Sequence, residues 1–232
     1  MSQTLDCLPE MEMATPASAA EPLLHASVYE TLRGRLISGA IAPGEGLSTR
    51  TIAQELGVSQ MPVRDALSRL SAEGAVLIRS KRKIEVPPMT PDRFADLLAC
   101  RLLLEPEAAA RSLPHLDAAA IRRLREIDAD IDRSIAEGDV HGYTEGNSAF
   151  HFTLYRANGR GTLNRLIEAL WLQFGPYMRT VYEQHPTEHF ADQHRNALDA
   201  IVAGDEAALR RAVAADITDG MALIGRRLPL GR

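Results

Sequence analysis

With 232 residues, 45% hydrophobic and 25% charged, the chain has the composition of a globular protein large enough for two domains or one large one. No apolar run is long enough to span a membrane, and no basic start followed by an apolar segment suggests a secretion signal. Cys7 and Cys100 are too few for a disulfide framework and read as free thiols, so a cytoplasmic protein is expected. The net charge of −5 is uneven: residues 25–90 carry nine Lys/Arg against six Asp/Glu, whereas residues 91–232 carry seventeen against twenty-one. A mildly basic module beside an acidic one suits contact with a polyanion.

Residues 1–24 mix methionine, proline, alanine and acids without a period, and are expected to form a flexible tail. Ala26 to Ser38 carries Val28, Leu32, Leu36 and Ile37 on a helical repeat. Pro43–Gly44 marks a turn, after which Ile52, Ala53 and Leu56 define one face of a short helix. Gly57 is placed to end that helix, because glycine reaches left-handed backbone angles cheaply. Ser59 is a candidate N-cap for the next helix, with Pro62 in its first turn and Val63, Ala66, Leu67 and Leu70 on its buried stripe. Arg64, Asp65, Ser68 and Arg69 fall largely off the stripe. This is the pattern of a helix-turn-helix whose second helix would read a DNA groove. Val76 with Ile78, then Ile84 with Val86, predict two short strands joined by Arg79-Ser80-Lys81-Arg82-Lys83, a wing whose cations suit phosphate contact.

Pro87, Pro88 and Pro91 punctuate the chain, which places a winged helix-turn-helix in residues 25–88 and a second domain in residues 91–226. The second domain reads as an all-α antiparallel bundle of six segments: Pro91 to Ser112, Asp117 to Ile135, Tyr143 to Ala157, Leu163 to Tyr182, Thr187 to Val202 and Asp205 to Ile224. Pro106, Pro176 and Pro186 are expected at kinks or breaks.

Asn147 and His151, four apart, share one helix face. His194 precedes the Gly204 turn by ten residues and Asp216 follows it by twelve, so an antiparallel pair of helices sets them opposite each other. Two imidazoles, a carboxylate and an amide oxygen suit a divalent ion such as zinc, nickel or manganese. The alternative is two hydrogen-bonded histidines and a surface aspartate. Arg101, Tyr155, Arg156, Tyr177, Arg179 and Tyr182 offer donors to a bound anion, or simply pack. His185 and His189 read as exposed, and Glu105 and Glu107 suggest no acid–base work. An enzyme using His151, His194 and Asp216 to activate water is the rival function, but no general base accompanies them and the N-terminal module would be unexplained.

The stretch VYETLRGRLISGAIAPGEGLSTRTIAQELGVSQMPVRDALSRLSAEG, followed by CRLLLEPEAAA, NSAFHFTLYRANGRGTLNRLI and HRNALDAIVAGDEAALRRAVAADI, resembles the GntR family of bacterial transcription regulators in its FCD branch. The resemblance implies a homodimer that binds double-stranded operator DNA and a helical domain that senses a small molecule, often an organic acid. Arg50 and Arg64 match its DNA-contacting arginines, and Ser59 and Pro62 match the start of its reading helix. Gln60 and Met61 stand where the family commonly has arginine and threonine, so Gln60 would favour an adenine edge. Lys83 replaces a wing glycine. In metal-type members the ligands are aspartate and three histidines; His151 and His194 match, Asn147 stands for the aspartate and Asp216 for the last histidine. Arg101 matches a recurrent arginine expected to help hold a carboxylate effector.

Overall fold

The computed structural model describes residues 20–80, 83–159, 161–184 and 193–227. The winged half opens with α1 (Ala20–Ile37), α2 (Thr49–Leu56) and α3 (Gln60–Ala72), then β1 (Leu77–Ser80) and β2 (Lys83–Glu85). The first helix starts at Ala20, inside the stretch expected to be a tail; residues 1–19 lie outside the described residues. Ser48 caps α2 by accepting from the Thr51 N–H at 3.1 Å, and Gly57 ends it at φ 65°. Ser59 occupies the N-cap position of α3 without making the side-chain bond, so its exposed hydroxyl is not engaged in the cap. The stripe on α3 closes over Leu32 and Leu36 of α1 in one core with Ile52 and Val76. The strands pair antiparallel, Ile78 opposite Ile84, and Leu47 bridges to Ile84 along the other edge. Lys81 and Arg82, at the wing tip, lie outside the described residues.

The helical half contains α4 (Pro91–Ser112), α5 (Ala118–Glu137), α6 (Val140–Arg156), α7 (Thr162–Gln184), α8 (His194–Ala203) and α9 (Glu206–Arg227), with a short 3-10 turn at Leu113–His115. Thr90, Asp117 and Asp139 each accept the N–H three residues on, which sets the starts of α4, α5 and α6. The sixth helix thus begins at Val140, ahead of the expected Tyr143, because Asp139 is the cap. Of the prolines expected at kinks or breaks, Pro106 and Pro176 do not break their helices: α4 runs through the first and α7 through the second, both buried, so packing on neighbouring helices offsets the lost backbone bond. Pro186, His185, His189 and the start of the expected fifth segment fall outside the described residues. The helices α5 and α6 pair, α8 and α9 pair, and α4 packs against α6, α7 and α9.

The winged half sits on α7. Gly175 faces the C-terminal end of α1 so closely that a Cβ there would lie 2.3 Å from the Ile37 carbonyl oxygen. Around this contact, Arg33 pairs with Glu168 at 2.6 Å, and Arg93 donates to the carbonyls of Gly74 and Pro87 and to Gln173 Oε1. Gln173 Nε2 in turn donates to the Glu73 carbonyl at the end of α3.

Candidate functional site

Two surfaces carry the chemistry that the sequence singles out. On the winged half, Arg50, Ser59, Gln60, Met61 and Arg64 are all exposed, and Arg50, Ser59 and Gln60 border one shallow concavity between α2 and α3. Met61 is 62% exposed. Arg50 and Arg64 form no ion pair among the described residues. Lys83 is exposed beside Glu85, at 3.6 Å. Arg69 differs from the other reading-helix residues. Its guanidinium lies 3.7 Å over the Tyr29 ring and bonds Glu73, whose carboxylate also accepts from the Tyr29 hydroxyl. Burial and Glu73 together push the Tyr29 hydroxyl up to about 12, so it remains a donor. Arg69 therefore belongs to the seam between α1 and α3, and a reading role for it does not follow from its placement.

In the helical half, a cavity of about 240 Å³ opens between α4, α6, α7 and α9. Its polar walls are Arg101, Tyr143, Asn147, Tyr182, Asp216, Asp219 and Arg226; Phe174, Met178, Ile217 and Leu223 supply the apolar part. The volume is below the ~300 Å³ where drug-sized sites begin, which suits a small metabolite. Asp216 belongs both to this wall and to a cluster with His151 and His194, whose ligand atoms lie within 4.8 Å of one another. Burial raises the Asp216 carboxyl, but His151, His194 and Arg101 outweigh it and hold it below the usual carboxylate range.

The donor set fits a divalent cation. His151 Nε2 is buried 3.0 Å from Asp216 Oδ2, close enough for one ion to meet both. His194 Nε2 lies 3.9 Å from Asp216 Oδ1. A cation with bonds of about 2.0–2.2 Å holds neighbouring ligand atoms roughly 3–3.5 Å apart, so the set is a slightly open version of that arrangement. Asn147 lies on the same helix face as His151; its amide N–H donates to the Met178 sulfur at 3.6 Å, which leaves its carbonyl oxygen as the group for an ion.

The remaining anion-binding candidates separate in the fold. Arg101 lines the cavity but is already committed: buried, it bonds both oxygens of Glu105 at 2.5 and 3.3 Å and lies over the rings of Trp171 and Phe174. Tyr155 is not in the cavity wall; its hydroxyl bonds Glu105 at 3.0 Å, and burial followed by the Glu105 charge pushes that hydroxyl well above its ordinary range. Tyr177 points the other way and donates to the Pro87 carbonyl, tying α7 to the segment between the two halves. Tyr182 meets Tyr143 hydroxyl to hydroxyl at 3.3 Å, whereas Arg156 and Arg179 pair with Glu168 and Glu183. Sequence reasoning missed Glu105, Trp171 and Asp128. Glu105 is fully buried and accepts from Arg101, Tyr155 and Trp171, and Asp128 Oδ1 lies 3.9 Å from His194 Nδ1. The i,i+4 spacing of Arg101 and Glu105 was the available signal.

A winged helix-turn-helix joined to an all-helical sensor-like domain defines a class of regulator, and comparison with known proteins agrees. Residues 24–86 match the bacterial regulatory proteins of the gntR family and residues 96–219 match the FCD domain. The chain belongs to the GntR family of transcriptional regulators, in its FCD-bearing branch. It is 28% identical over 201 residues to the HTH-type transcriptional regulator McbR of Escherichia coli K12, covering 85% of this chain and 90% of that protein. It is 29% identical over 201 residues to the HTH-type regulator BphR of Paraburkholderia xenovorans LB400, covering 82% and 80%. The solved structure of E. coli McbR/YncC superposes with a TM-score of 0.83 at 26% identity, over 88% of this chain and 98% of that one. These matches are to transcriptional regulators, so the alternative of a hydrolytic enzyme built on His151, His194 and Asp216 finds no support. No helix among the described residues is long and apolar enough to cross a membrane.

Proposed function

We propose that this regulator binds a palindromic operator as a homodimer, and that a small organic acid in the α4–α9 cavity, together with a divalent cation on His151, His194 and Asp216, sets its affinity. In this reading residues 25–88 read the DNA and residues 91–226 sense the effector and carry the dimer contact. Arg50, Ser59, Gln60, Met61, Arg64 and the wing cations Lys81, Arg82 and Lys83 meet the duplex. Arg64 would contact a base edge and the wing the phosphates.

The observation that carries the sensing half is the convergence of His151, His194 and Asp216, with ligand atoms within 4.8 Å of one another, where Asp216 also lines the cavity. Charge explains why the two ligands belong together. Glu105 already neutralises Arg101, and Asp216 and Asp219 leave the cavity with a surplus of acid over Arg226. A divalent cation there would supply the positive charge that an organic acid needs. Asn147, at the position of an acid in metal-type relatives, lowers the ligand charge, and Asp216 restores it. Zinc, nickel and manganese all suit imidazole and carboxylate donors, zinc most closely.

Elemental analysis of protein purified without a histidine tag tests this reading. One transition-metal ion per chain, lost in His151→Ala, is expected; a chain with no bound metal before or after incubation with zinc, nickel and manganese overturns it. Gel-shift against the promoter region of its own operon, with and without chelator, tests the coupling to DNA.

A further inference from the structure

The cluster that would hold a cation has a second layer whose hydrogen bonds run in one direction only. Glu105 is fully buried and surrounded by donors: Arg101 Nε at 2.5 Å and Nη2 at 3.3 Å, Trp171 Nε1 at 3.2 Å and the Tyr155 hydroxyl at 3.0 Å. Its carboxylate can act only as an acceptor. The single hydroxyl proton of Tyr155 is therefore directed at Glu105 Oε2, and toward its other neighbour, His151 Nδ1 at 2.9 Å, the Tyr155 oxygen can only accept. The ring nitrogen facing it must then carry the proton.

From this the geometry points to Glu105 and Tyr155 as positioning residues that keep a proton on His151 Nδ1, so that Nε2, facing Asp216, is the nitrogen offered to the cation. The proposal rests on the cation reading above for its purpose, but the proton on Nδ1 is a property of the chain itself. Nε2 lies 3.0 Å from Asp216 Oδ2, and Tyr155, Phe150 and Trp171 hold the ring in that orientation. Metal-bound histidines generally donate their second nitrogen to a carboxylate or its relay, and here the relay is a tyrosine backed by a buried glutamate. The sequence already holds its parts at helical spacing: Arg101 with Glu105 on α4, His151 with Tyr155 on α6.

The test uses the full, untagged, metal-stripped chain in slightly alkaline buffer. Two-bond proton–nitrogen spectra of histidine-labelled protein, with His151→Gln to assign the signal, should show hydrogen on His151 Nδ1. Tyr155→Phe, which keeps the ring and removes only the relay oxygen, should lose that fixed Nδ1 proton and weaken zinc binding roughly 10–100-fold at unchanged stoichiometry. The chain's single tryptophan, Trp171, follows the titration because its ring lies 5.4 Å from that of His151. Glu105→Gln should act in the same direction. A His151 with hydrogen on Nε2 and none on Nδ1 in the unaltered chain overturns the proposal, as does zinc affinity in Tyr155→Phe equal to that of the unaltered chain. Should the unaltered chain bind no zinc, the cation reading fails, and the tautomer spectra alone decide the relay.

Discussion

The winged half and the helical half put their polar chemistry on opposite sides of their cores. On α3 the stripe of Val63, Ala66, Leu67 and Leu70 is buried and the polar residues look outward. In the bundle Arg101, Glu105, Asn147, His151 and His194 are themselves buried. Exposed side chains such as Arg64 stay hydrated until a ligand arrives, so they can be replaced singly at little cost to folding. Buried ones must be satisfied by each other, which ties α4, α6 and α7 into one network around Glu105. Exposed residues such as Gln60 and Met61 can therefore change one at a time, whereas the bundle's buried residues can change only together.

Substitutions at graded depth break or sharpen this contrast. Glu105→Ala should be the most damaging, because it leaves the Arg101 guanidinium buried without its partner; a loss of about 3–5 kcal/mol is expected in urea unfolding. A loss below ~1 kcal/mol would mean that the network is not closed. Gly175→Val acts at the contact between the halves, where the new Cβ meets the Ile37 carbonyl. Overpacking there should cost about 1–3 kcal/mol, read as a lowered Tm, and should loosen the docking of the winged half. Arg64→Ala should weaken operator binding by roughly 1–3 kcal/mol in a gel-shift titration. Its unfolding free energy should stay within ~0.5 kcal/mol of the parent, which is the signature of a surface reader. Arg69→Ala should be mildest: the exposed pair with Glu73 and the contact over Tyr29 amount to about 1 kcal/mol of stability at most. Operator affinity should barely move, and a loss equal to that of Arg64→Ala would return Arg69 to the reading surface.

The difference between the halves also governs how well each was read from residues alone. The helix-turn-helix announces itself through apolar spacing, the Gly57 turn and the strand pair, all local features, and the structure reproduces them within a few residues. Arg69 shows the limit of that reading, because lying off the buried stripe does not distinguish a side chain facing DNA from one lying over Tyr29 on another helix. In the bundle, the spacing of His194 and Asp216 about Gly204 does bring them together, since two antiparallel helices convert equal distances from a turn into proximity. Tyr177, a candidate either for the effector or for packing, donates to the Pro87 carbonyl, and periodicity does not say which neighbour a given helix face will meet.

By itself the sequence determined the helices and most of their ends, the winged reader with its exposed Arg50 and Arg64, and the sharing of one helix face by Asn147 and His151. These depend on interactions within a few residues along the chain, where side-chain type and backbone geometry suffice. Only the tertiary structure decided that Arg101 is spent on Glu105, that Asp216 joins the cavity to the histidines, and that α7 carries the winged half on Gly175. Glu105 meets Tyr155 and Trp171 across fifty and sixty-six positions of chain, and its role follows from which donors the packing of α4, α6 and α7 leaves within reach. Burial of apolar surface draws those helices together without regard to direction; the polar groups caught between them must then be paired, and that pairing creates the site.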